Sequence, residues 1–369
     1  MKKTLIITLE YPPQIGGIAT YVRNLAVHLP SDEVVVYAPK MIGGKEYDLE
    51  NPWRTIRKKP MSWLFWPRWI KMFWQVRKIV KREKIEQIFV QHVLPTGYVA
   101  YLIKKLRKVP YTIFLHGTDL QMALKKKRKL KAICVKAEKI VVSSEFLKEK
   151  FLAEVGMGNV VVVNPAPSDI FLQSVDKDKL NKIKSELALH GKKVILTVSR
   201  LAEGKGLPHL IKFLPKILRS VPNAVWLVIG DGPKREEFIE LVRQNNLQSV
   251  VRFIGKVAHD DLPIYYQAAN IFVLLTHKDK NTEEGWGTVF LEAAASGLPV
   301  IAGQVGGVAE TVEHGKTGFL VDIYNEDAFY STIIELLKND ELRTSMGQTG
   351  KRRVEEKFLW SQQIDKIVE

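Results

Sequence analysis

The sequence predicts an α/β protein built from two doubly wound domains, and three observations carry this prediction. Short apolar runs alternate with amphipathic stretches from one end of the chain to the other. The runs are continuously apolar, which is typical of strands in a parallel sheet that helices cover on both faces. The chain has 369 residues, more than a single ordinary core accommodates.

Twelve apolar runs predict the strands of two sheets. The runs of the first half are 4–9, 33–38, 85–90, 111–116, 139–144 and 159–164, with helical periodicity between them, for example over 18–29 and 95–108. The runs of the second half are 194–200, 224–230, 250–255, 270–275, 299–303 and 318–322. Ligands of such sheets bind beyond the carboxyl ends of the strands. We therefore expect function in the loops that follow strands, in a cleft between the domains.

The alternation breaks at "NPAPSDIFLQSVDKDKLNKIKSELALHGKK", which holds two prolines, a polar helical stretch and Gly191. This break divides the chain into an N-terminal domain over 1–170, a connector over 171–191 and a C-terminal domain over 192–350.

Composition narrows the class of protein. The 46% hydrophobic content describes a globular chain, and the single cysteine, Cys134, excludes an internal disulfide framework and suits a reducing compartment. The apolar start "MKKTLIITLEYPP" is too short for a signal peptide and is better read as a first buried strand. The net charge of +16 favours anionic partners, namely nucleic acid, anionic lipid or a phosphorylated substrate.

Two loops of the first half carry candidate chemistry. "EYPPQIGGIATYV" places Gly16 and Gly17 between a strand and a helix, where backbone amides could approach a phosphate; the alternative is a plain turn. In "FLHGTDL", His116 directly follows a strand. It either points into the cleft or is merely hydrogen-bonded.

A third loop, "VSRLAEGKGLPHLI", follows the first strand of the second half. Arg200 ends the strand, and Lys205 lies between two glycines. The planar fork of an arginine and the mobile charge of a lysine together suit a diphosphate, although isolated surface charges are the alternative.

The fourth loop is "EEGWGTVFLEAAASGLPVIAG". Gly285 and Gly287 expose amides before a helix that begins near Thr288, its predicted N-cap. A phosphate suits that helix end, and the carboxylates of Glu284 and Glu292 suit the hydroxyls of a sugar or ribose attached to it. The alternative is an exposed Glu284 and a Glu292 paired with a nearby cation. A nucleotide sugar fits all four loops at once.

The ordered motifs resemble those of family 4 glycosyltransferases of the GT-B fold, two doubly wound Rossmann-like domains facing across a cleft. They are "YPPQIGGIATYV", "HGTD", "VSRLAEGKG", "GDGPKREEF", "VRFIGKV", the glutamate segment "EEGWGTVFLEAAASGLPVIAG", "GGVAETV" and "GKTGFLV". The glycine loop and the glutamate segment look most like bacterial phosphatidylinositol-type mannosyltransferases. "NPAPSDIF" departs from the Asn-Gly-Val-Asp-like turn that is common among relatives.

The resemblance implies residue roles. The implied catalytic residues are His116, Glu284, Arg200 and Lys205. The implied donor-binding residues are Gly16, Gly17, Arg200, Lys205, Glu284, Gly285, Gly287, Thr288, Val289 and Glu292. Arg200 and Lys205 would neutralise the donor's diphosphate, Glu292 would hold the ribose, Glu284 the transferred sugar, and His116 would line the reaction centre.

The same resemblance implies a reaction that retains anomeric configuration and needs no metal and no cofactor. The donor is expected to be a GDP-sugar or a UDP-sugar, carrying mannose or another hexose. It also implies a closing helix over 351–369 that packs back on the first domain.

A basic, tryptophan-rich arm spans 53–84 and holds eleven Lys/Arg, one acidic residue and five of the eight tryptophans. Its uncharged run is far shorter than the roughly 20 residues of a transmembrane span. An interfacial helix fits best, together with the basic cluster 125–131. Packing of some tryptophans in the core, or a nucleic-acid surface, are the alternatives.

Together these observations predict a transferase that acts on a lipid or lipid-linked acceptor, bound peripherally to the inner face of the cell membrane on the cytoplasmic side, and no nucleic-acid partner. Glycolipid or polysaccharide biosynthesis is the expected setting. The same chemistry on a soluble or polysaccharide acceptor, and a GT-B sugar-nucleotide epimerase, are the alternatives.

Overall fold

The computed structural model describes residues 1–61, 66–279 and 283–368, without the side chains of 118, 119, 121 and 122. The chain divides into two compact units, Met1–Pro165 with Trp360–Glu369, and Ala166–Leu359. Each unit contains one sheet with flanking helices, and every strand pairing is parallel. The predicted fold class of two Rossmann-like domains is therefore confirmed.

The first unit is built on a seven-stranded sheet. Its strands are β1 (Thr4–Ile7), β2 (Val34–Pro39), β3 (Arg54–Lys58), β4 (Gln87–Val90), β5 (Tyr111–Leu115), β6 (Lys139–Val142) and β7 (Val160–Val162). Its helices up to the last strand are α1 (Gly17–Val27), α2 (Gly44–Leu49), α3 (Ile70–Arg82), α4 (Tyr98–Arg107), α5 (Gly117–Leu124), α6 (Lys127–Lys136) and α7 (Glu145–Val155). The spatial order is β3-β2-β1-β4-β5-β6-β7, so the direction of winding reverses between β1 and β4.

The second unit is built on a six-stranded sheet. Its strands are β8 (Lys193–Val198), β9 (Ala224–Ile229), β10 (Val251–Gly255), β11 (Ile271–Leu274), β12 (Val300–Gly303) and β13 (Gly318–Val321). Its helices are α8 (Lys177–Glu186), α9 (Leu207–Ser220), α10 (Arg235–Gln244), α11 (Leu262–Ala268), α12 (Thr288–Ala295), α13 (Val308–Thr311), α14 (Glu326–Lys338) and α15 (Asp340–Lys357). The spatial order is β10-β9-β8-β11-β12-β13, which reverses between β8 and β11.

The central strands are buried on both faces, because nearly all of their side chains are apolar. The four residues of β1, the five of β5 and the six of β9 are all buried. Helices such as α9, which buries six apolar side chains, cover the faces. This burial leaves the loops at the carboxyl ends as the part of each sheet that is open to a ligand.

Residues 171–191, expected as a connector, are part of the second unit, which begins at Ala166. Phe171 is fully buried in its core, and Leu180 of helix α8 packs against the same cluster. The backbone amide of Val175 also donates to Gln267 Oε1 at 3.0 Å.

The C-terminal segment belongs to the first unit. Helix α15 already begins at Asp340, and a separate helix, α16 (Trp360–Val368), follows it. Trp360 of α16 is fully buried, with its ring 5.2 Å from that of Tyr21 on α1. The amide of Asn164, after β7, donates to Gln363 on α16 at 3.1 Å.

The expectation that 53–84 forms one interfacial helix is wrong, because the segment contains strand β3 and helix α3. Sequence reasoning missed β3, which lies at the sheet edge with Ile56 as its one buried residue. Helix α3 buries five side chains in the first core. Trp53 is buried as well, and its indole donates to the Tyr11 hydroxyl at 2.8 Å.

Part of this arm nevertheless faces solvent. Trp66 is 88% exposed and Trp74 is 56% exposed, whereas Trp69 packs against the core; Trp63 lies outside the described residues. No helix in the described part of the chain is long and apolar enough to cross a membrane.

The burial of these tryptophans predicts very different costs for the same substitution. Trp360→Ala should destabilise the fold by roughly 3–5 kcal/mol, because it empties a fully buried site. Trp66→Ala should change stability by less than about 0.5 kcal/mol, because that ring is exposed. Urea unfolding of both variants beside the wild type measures this, and equal destabilisation by the two would contradict the assignment of Trp360 to the core.

Candidate functional site

The loops at the switch point of the second sheet hold the charged residues that the sequence singled out. Arg200 and Lys205 follow β8, and Glu284 lies in the loop that follows β11. These are the two neighbouring strands between which the winding reverses. In open α/β sheets this is the place where ligands bind.

Lys205 and Glu284 form the central contact of this site. The Lys205 Nζ lies 2.7 Å from Glu284 Oε2, and the two side chains are 26% and 20% exposed. Gly206, after the lysine, has a φ of +72°, and a Cβ there would collide with the backbone of Leu275 at the end of β11. The glycine therefore lets the lysine loop lie directly on the neighbouring strand.

The carboxylate of Glu284 is ionised in this setting. Burial alone would raise its pKa, but Lys205 and the backbone amides of Trp286 and Gly285 hold the pKa below its usual value. The glycine turn that the sequence offered to a phosphate therefore already directs two of its amides at the Glu284 side chain.

The backbone of Glu284 is fixed by a second glycine pair. The Gly307 amide donates to the Glu284 carbonyl at 3.0 Å. Gly306 has a φ of +54°, and a Cβ at that position would collide with the same carbonyl. The sequence motif "GGVAETV" thus serves to position the glutamate, a role that its pattern alone did not reveal.

Helix α12 begins at Thr288. The prediction that Thr288 is the N-cap of this helix is wrong. Gly287 occupies the N-cap with a φ of +87°, because the turn needs a left-handed residue there, and no side chain caps the helix. The first helical amide with a backbone acceptor is that of Phe290, which donates to Gly287. The amides of Thr288 and Val289 precede it and are directed, as at any helix start, towards a possible anion.

Glu292 lies one turn further along α12 and is buried, with 6% of its surface exposed. The hydroxyl of Tyr266 on α11 donates to its Oε2 at 2.9 Å. Burial raises the pKa of Glu292 to about 7, although the bond from Tyr266 lowers it somewhat. The Tyr266 contact could not be predicted from the sequence, and Glu292 forms no ion pair with a Lys or Arg among the described residues.

Arg200 is exposed, two residues beyond the end of β8. It forms no ion pair with any other residue that the structure describes. Its guanidinium is thus free to meet an anionic ligand, whereas the charge of Lys205 is already neutralised.

In the first unit, the glycine loop follows β1 and leads into α1. Gly16 is the N-cap of α1, and Gly17 is its first residue. A Cβ on Gly17 would meet open space, and one on Gly16 would come to 3.5 Å from Glu10 Oε2. Neither glycine is tightly enclosed, and the approach of a phosphate to this helix start stays a prediction.

His116 directly follows β5, as predicted, and precedes α5. Its Nε2 lies 3.3 Å from Gln91 Oε1, and its ring is 5.2 Å from that of Tyr21. Burial, with a contribution from nearby His92, lowers the pKa of His116 to about 3. The imidazole is therefore neutral throughout the physiological range.

Comparison with known proteins places this geometry in a family. The family model described as "Glycosyltransferase Family 4" matches residues 15–166, and the one described as "Glycosyl transferases group 1" matches residues 178–353. A GDP-mannose-dependent alpha-(1-6)-phosphatidylinositol monomannoside mannosyltransferase of Mycolicibacterium smegmatis is 27% identical over 96% of this chain and 94% of its own length. A GDP-mannose-dependent monoacylated alpha-(1-6)-phosphatidylinositol monomannoside mannosyltransferase of Corynebacterium glutamicum is 27% identical over 97% and 95%.

Solved structures agree on the fold. Anabaena HepE, crystallised in complex with UDP and glucose, has a TM-score of 0.85 at 18% identity and covers 100% of this chain and 98% of its own. Sucrose-phosphate synthase from Thermosynechococcus elongatus has a TM-score of 0.82 at 23% identity, with coverages of 100% and 98%.

Each unit contains a parallel sheet with polar residues at its switch point. This architecture and the matches described above define a glycosyltransferase of the GT-B fold. The chain belongs to glycosyltransferase family 4, and it resembles the phosphatidylinositol-type mannosyltransferases of that family.

The raised pKa of Glu292 predicts a pH-dependent cost to stability. The native state keeps the proton up to about pH 7, while the unfolded chain releases it near 4.5, so stability falls as the pH rises between these values. Relative to Glu292→Gln, the wild type should lose roughly 3 kcal/mol over this window. Urea unfolding of both proteins at several pH values measures the difference, and a difference independent of pH would show that the carboxyl is not perturbed.

Proposed function

We propose that the protein transfers a hexose from a nucleotide diphosphate sugar to a lipid or lipid-linked acceptor at a membrane surface. The observation that carries the donor half is the Lys205–Glu284 pair beside the open start of helix α12, at the switch point of the second sheet. The site offers cations and amides to phosphate groups, and carboxylates to hydroxyl groups.

The donor diphosphate would lie between Arg200, Lys205 and the first amides of α12. A bound diphosphate competes with Glu284 for the charge of Lys205, and so releases the carboxylate to accept hydrogen bonds from the hydroxyls of the transferred sugar. As the glycosidic bond breaks, negative charge grows on the diphosphate, and the same cations stabilise it. Glu292 would accept hydrogen bonds from the ribose, with Tyr266 holding its other oxygen.

The reaction is proposed to retain anomeric configuration without a metal. The acceptor oxygen attacks the anomeric carbon from the face that the diphosphate leaves, and the acceptor's proton passes to a phosphate oxygen of the donor. In this scheme the neutral imidazole of His116 binds a hydroxyl group of a substrate and does not act as a general base.

The donor is proposed to be a GDP-sugar or a UDP-sugar. The curated relatives quoted above are named for GDP-mannose, which supports a guanine nucleotide and mannose. The Anabaena structure contains UDP, so uracil stays within the proposal.

A thermal-shift screen with UDP- and GDP-sugars tests donor binding. A donor whose concentration is about 100 times its dissociation constant should raise the free energy of unfolding by about 2.7 kcal/mol. Glu292→Ala should weaken this response for a nucleotide sugar because it removes the ribose contact, whereas His116→Ala should leave the response largely unchanged and lower turnover. No response of the wild type to any donor would reject the proposed function, and the opposite pattern in the two variants would reverse the roles.

The acceptor half of the proposal rests on the exposed part of the arm and on the named substrates of the relatives. Trp66 and Trp74 present indoles to solvent, and the Arg77 guanidinium lies 5.2 Å from the centre of the Trp74 ring. The basic cluster 125–131 is exposed except for Leu130. Indoles at headgroup depth, with cations worth about 1 kcal/mol each near anionic lipid, suit peripheral binding at the cytoplasmic face of a membrane.

Liposome sedimentation tests this surface. Wild-type protein should bind vesicles of anionic phospholipid better than neutral vesicles, and Trp66→Ser with Trp74→Ser should weaken that binding because two exposed indoles are lost. Tyr324→Ser is the matched control, since Tyr324 is an aromatic residue that is 75% exposed in the second unit. Equal binding to both kinds of vesicle, or equal effects of the tryptophan and tyrosine changes, would contradict membrane docking through the arm.

A further inference from the structure

The switch point of the first sheet carries, beside His116, polar residues that the reaction scheme above does not use. Glu10 follows β1, Gln91 and His92 follow β4, and His116 follows β5, on three strands that lie side by side. Gln91 is fully buried, although it directly ends a strand at the ligand edge of the sheet. A buried glutamine at this place requires a physical reason.

The side-chain amide of Gln91 has a single hydrogen-bond partner among the described residues. Its Oε1 lies 3.3 Å from His116 Nε2, while its Nε2 is buried and has no hydrogen-bond partner among the described residues. An unpaired buried amide group costs stability. An apolar side chain of similar size would remove that cost but would leave His116 Nε2 without this partner, so the contact with His116 is what explains the glutamine.

The surroundings of His116 keep its ring neutral. Tyr21 of α1 contacts the imidazole at a centroid distance of 5.2 Å, and the ring of His92 lies 6.4 Å away. Glu10 lies beside His92, with its Oε1 3.7 Å from His92 Nε2. A neutral imidazole has one N–H and one acceptor nitrogen, and the partner of one nitrogen decides the role of the other.

We propose that Gln91 is a positioning residue that holds His116 as the Nε2–H tautomer and so leaves Nδ1 as the acceptor for a substrate hydroxyl group. In this arrangement Nε2–H donates to Gln91 Oε1. The neutral amide suits this task where a carboxylate would not, because a negative charge beside the ring would favour the imidazolium, which has no acceptor. The identity of the hydroxyl rests on the proposed glycosyl transfer; the tautomer does not.

The tautomer can be measured directly by long-range ¹H–¹⁵N NMR on full-length protein labelled at histidine, without any substrate. His116→Gln assigns the signals by their loss. The wild type should show His116 as Nε2–H, with no titration between pH 5 and 8. Gln91→Leu should move a measurable fraction of His116 to the Nδ1–H form, and Gln91→Glu should raise the pKa of His116 by about one unit or more.

Activity and stability separate this role from a structural one. With a nucleotide-sugar donor and membrane extract as acceptor, kcat of Gln91→Leu should fall by about tenfold or more while KM for the donor stays within about twofold. Gln91→Leu should unfold in urea at a concentration close to that of the wild type, because the loss of the unpaired amide offsets the loss of the His116 contact.

An Nδ1–H tautomer in the wild type, or an unchanged tautomer in Gln91→Leu, would overturn the proposal. So would a Gln91→Leu variant that loses stability while its tautomer and kcat stay the same. If the tautomer behaves as expected but no donor is consumed, the positioning role stands and the proposed glycosyl transfer fails by itself.

Discussion

The ion pair between Lys205 and Glu284 is the contact on which the proposed donor site depends. It joins the loops after β8 and β11 at 2.7 Å, across the point where the second sheet reverses its winding. The pair forms because the neighbouring backbone is shaped around it: Gly206 lets the lysine loop lie on β11, and Gly307 holds the Glu284 carbonyl. The cation and the carboxylate lie together at the carboxyl ends of the strands. A substrate that carries both phosphate and hydroxyl groups can separate them, because the phosphate binds the cation and the hydroxyls bind the carboxylate.

The switch points of the two sheets differ in charge, although both follow from the same topology. In the second unit Lys205 and Glu284 form an ion pair, and the cation of this pair suits a diphosphate whose charge increases as a bond breaks. In the first unit a neutral imidazole is held by a neutral amide, and this suits the recognition of a hydroxyl group. This difference in charge between the two switch points fits the proposed reaction between an anionic donor and an alcohol acceptor.

The sequence predicted those features of the fold that short local patterns of residues determine. Twelve strands were placed correctly because their runs are apolar at nearly every position, whereas β3 was missed because an edge strand buries only Ile56. The sequence predicts Thr288 as an N-cap, but the positive φ of the turn favours Gly287. The partners of Glu292 and Gln91 could not be predicted, because they depend on which distant elements meet in space. The same holds for the tryptophan-rich arm, whose residues divide between the core and the surface.

The proposed role of Lys205, binding of the second phosphate of the donor nucleotide, can be measured by calorimetric titration with GDP, GMP, UDP and UMP. The wild type should bind a diphosphate at least about tenfold tighter than its monophosphate, a difference of about 1.4 kcal/mol. In Lys205→Met, which keeps the length of the side chain and removes the charge, this preference should largely disappear while the monophosphate binds as before. An equal preference in wild type and variant would contradict the account.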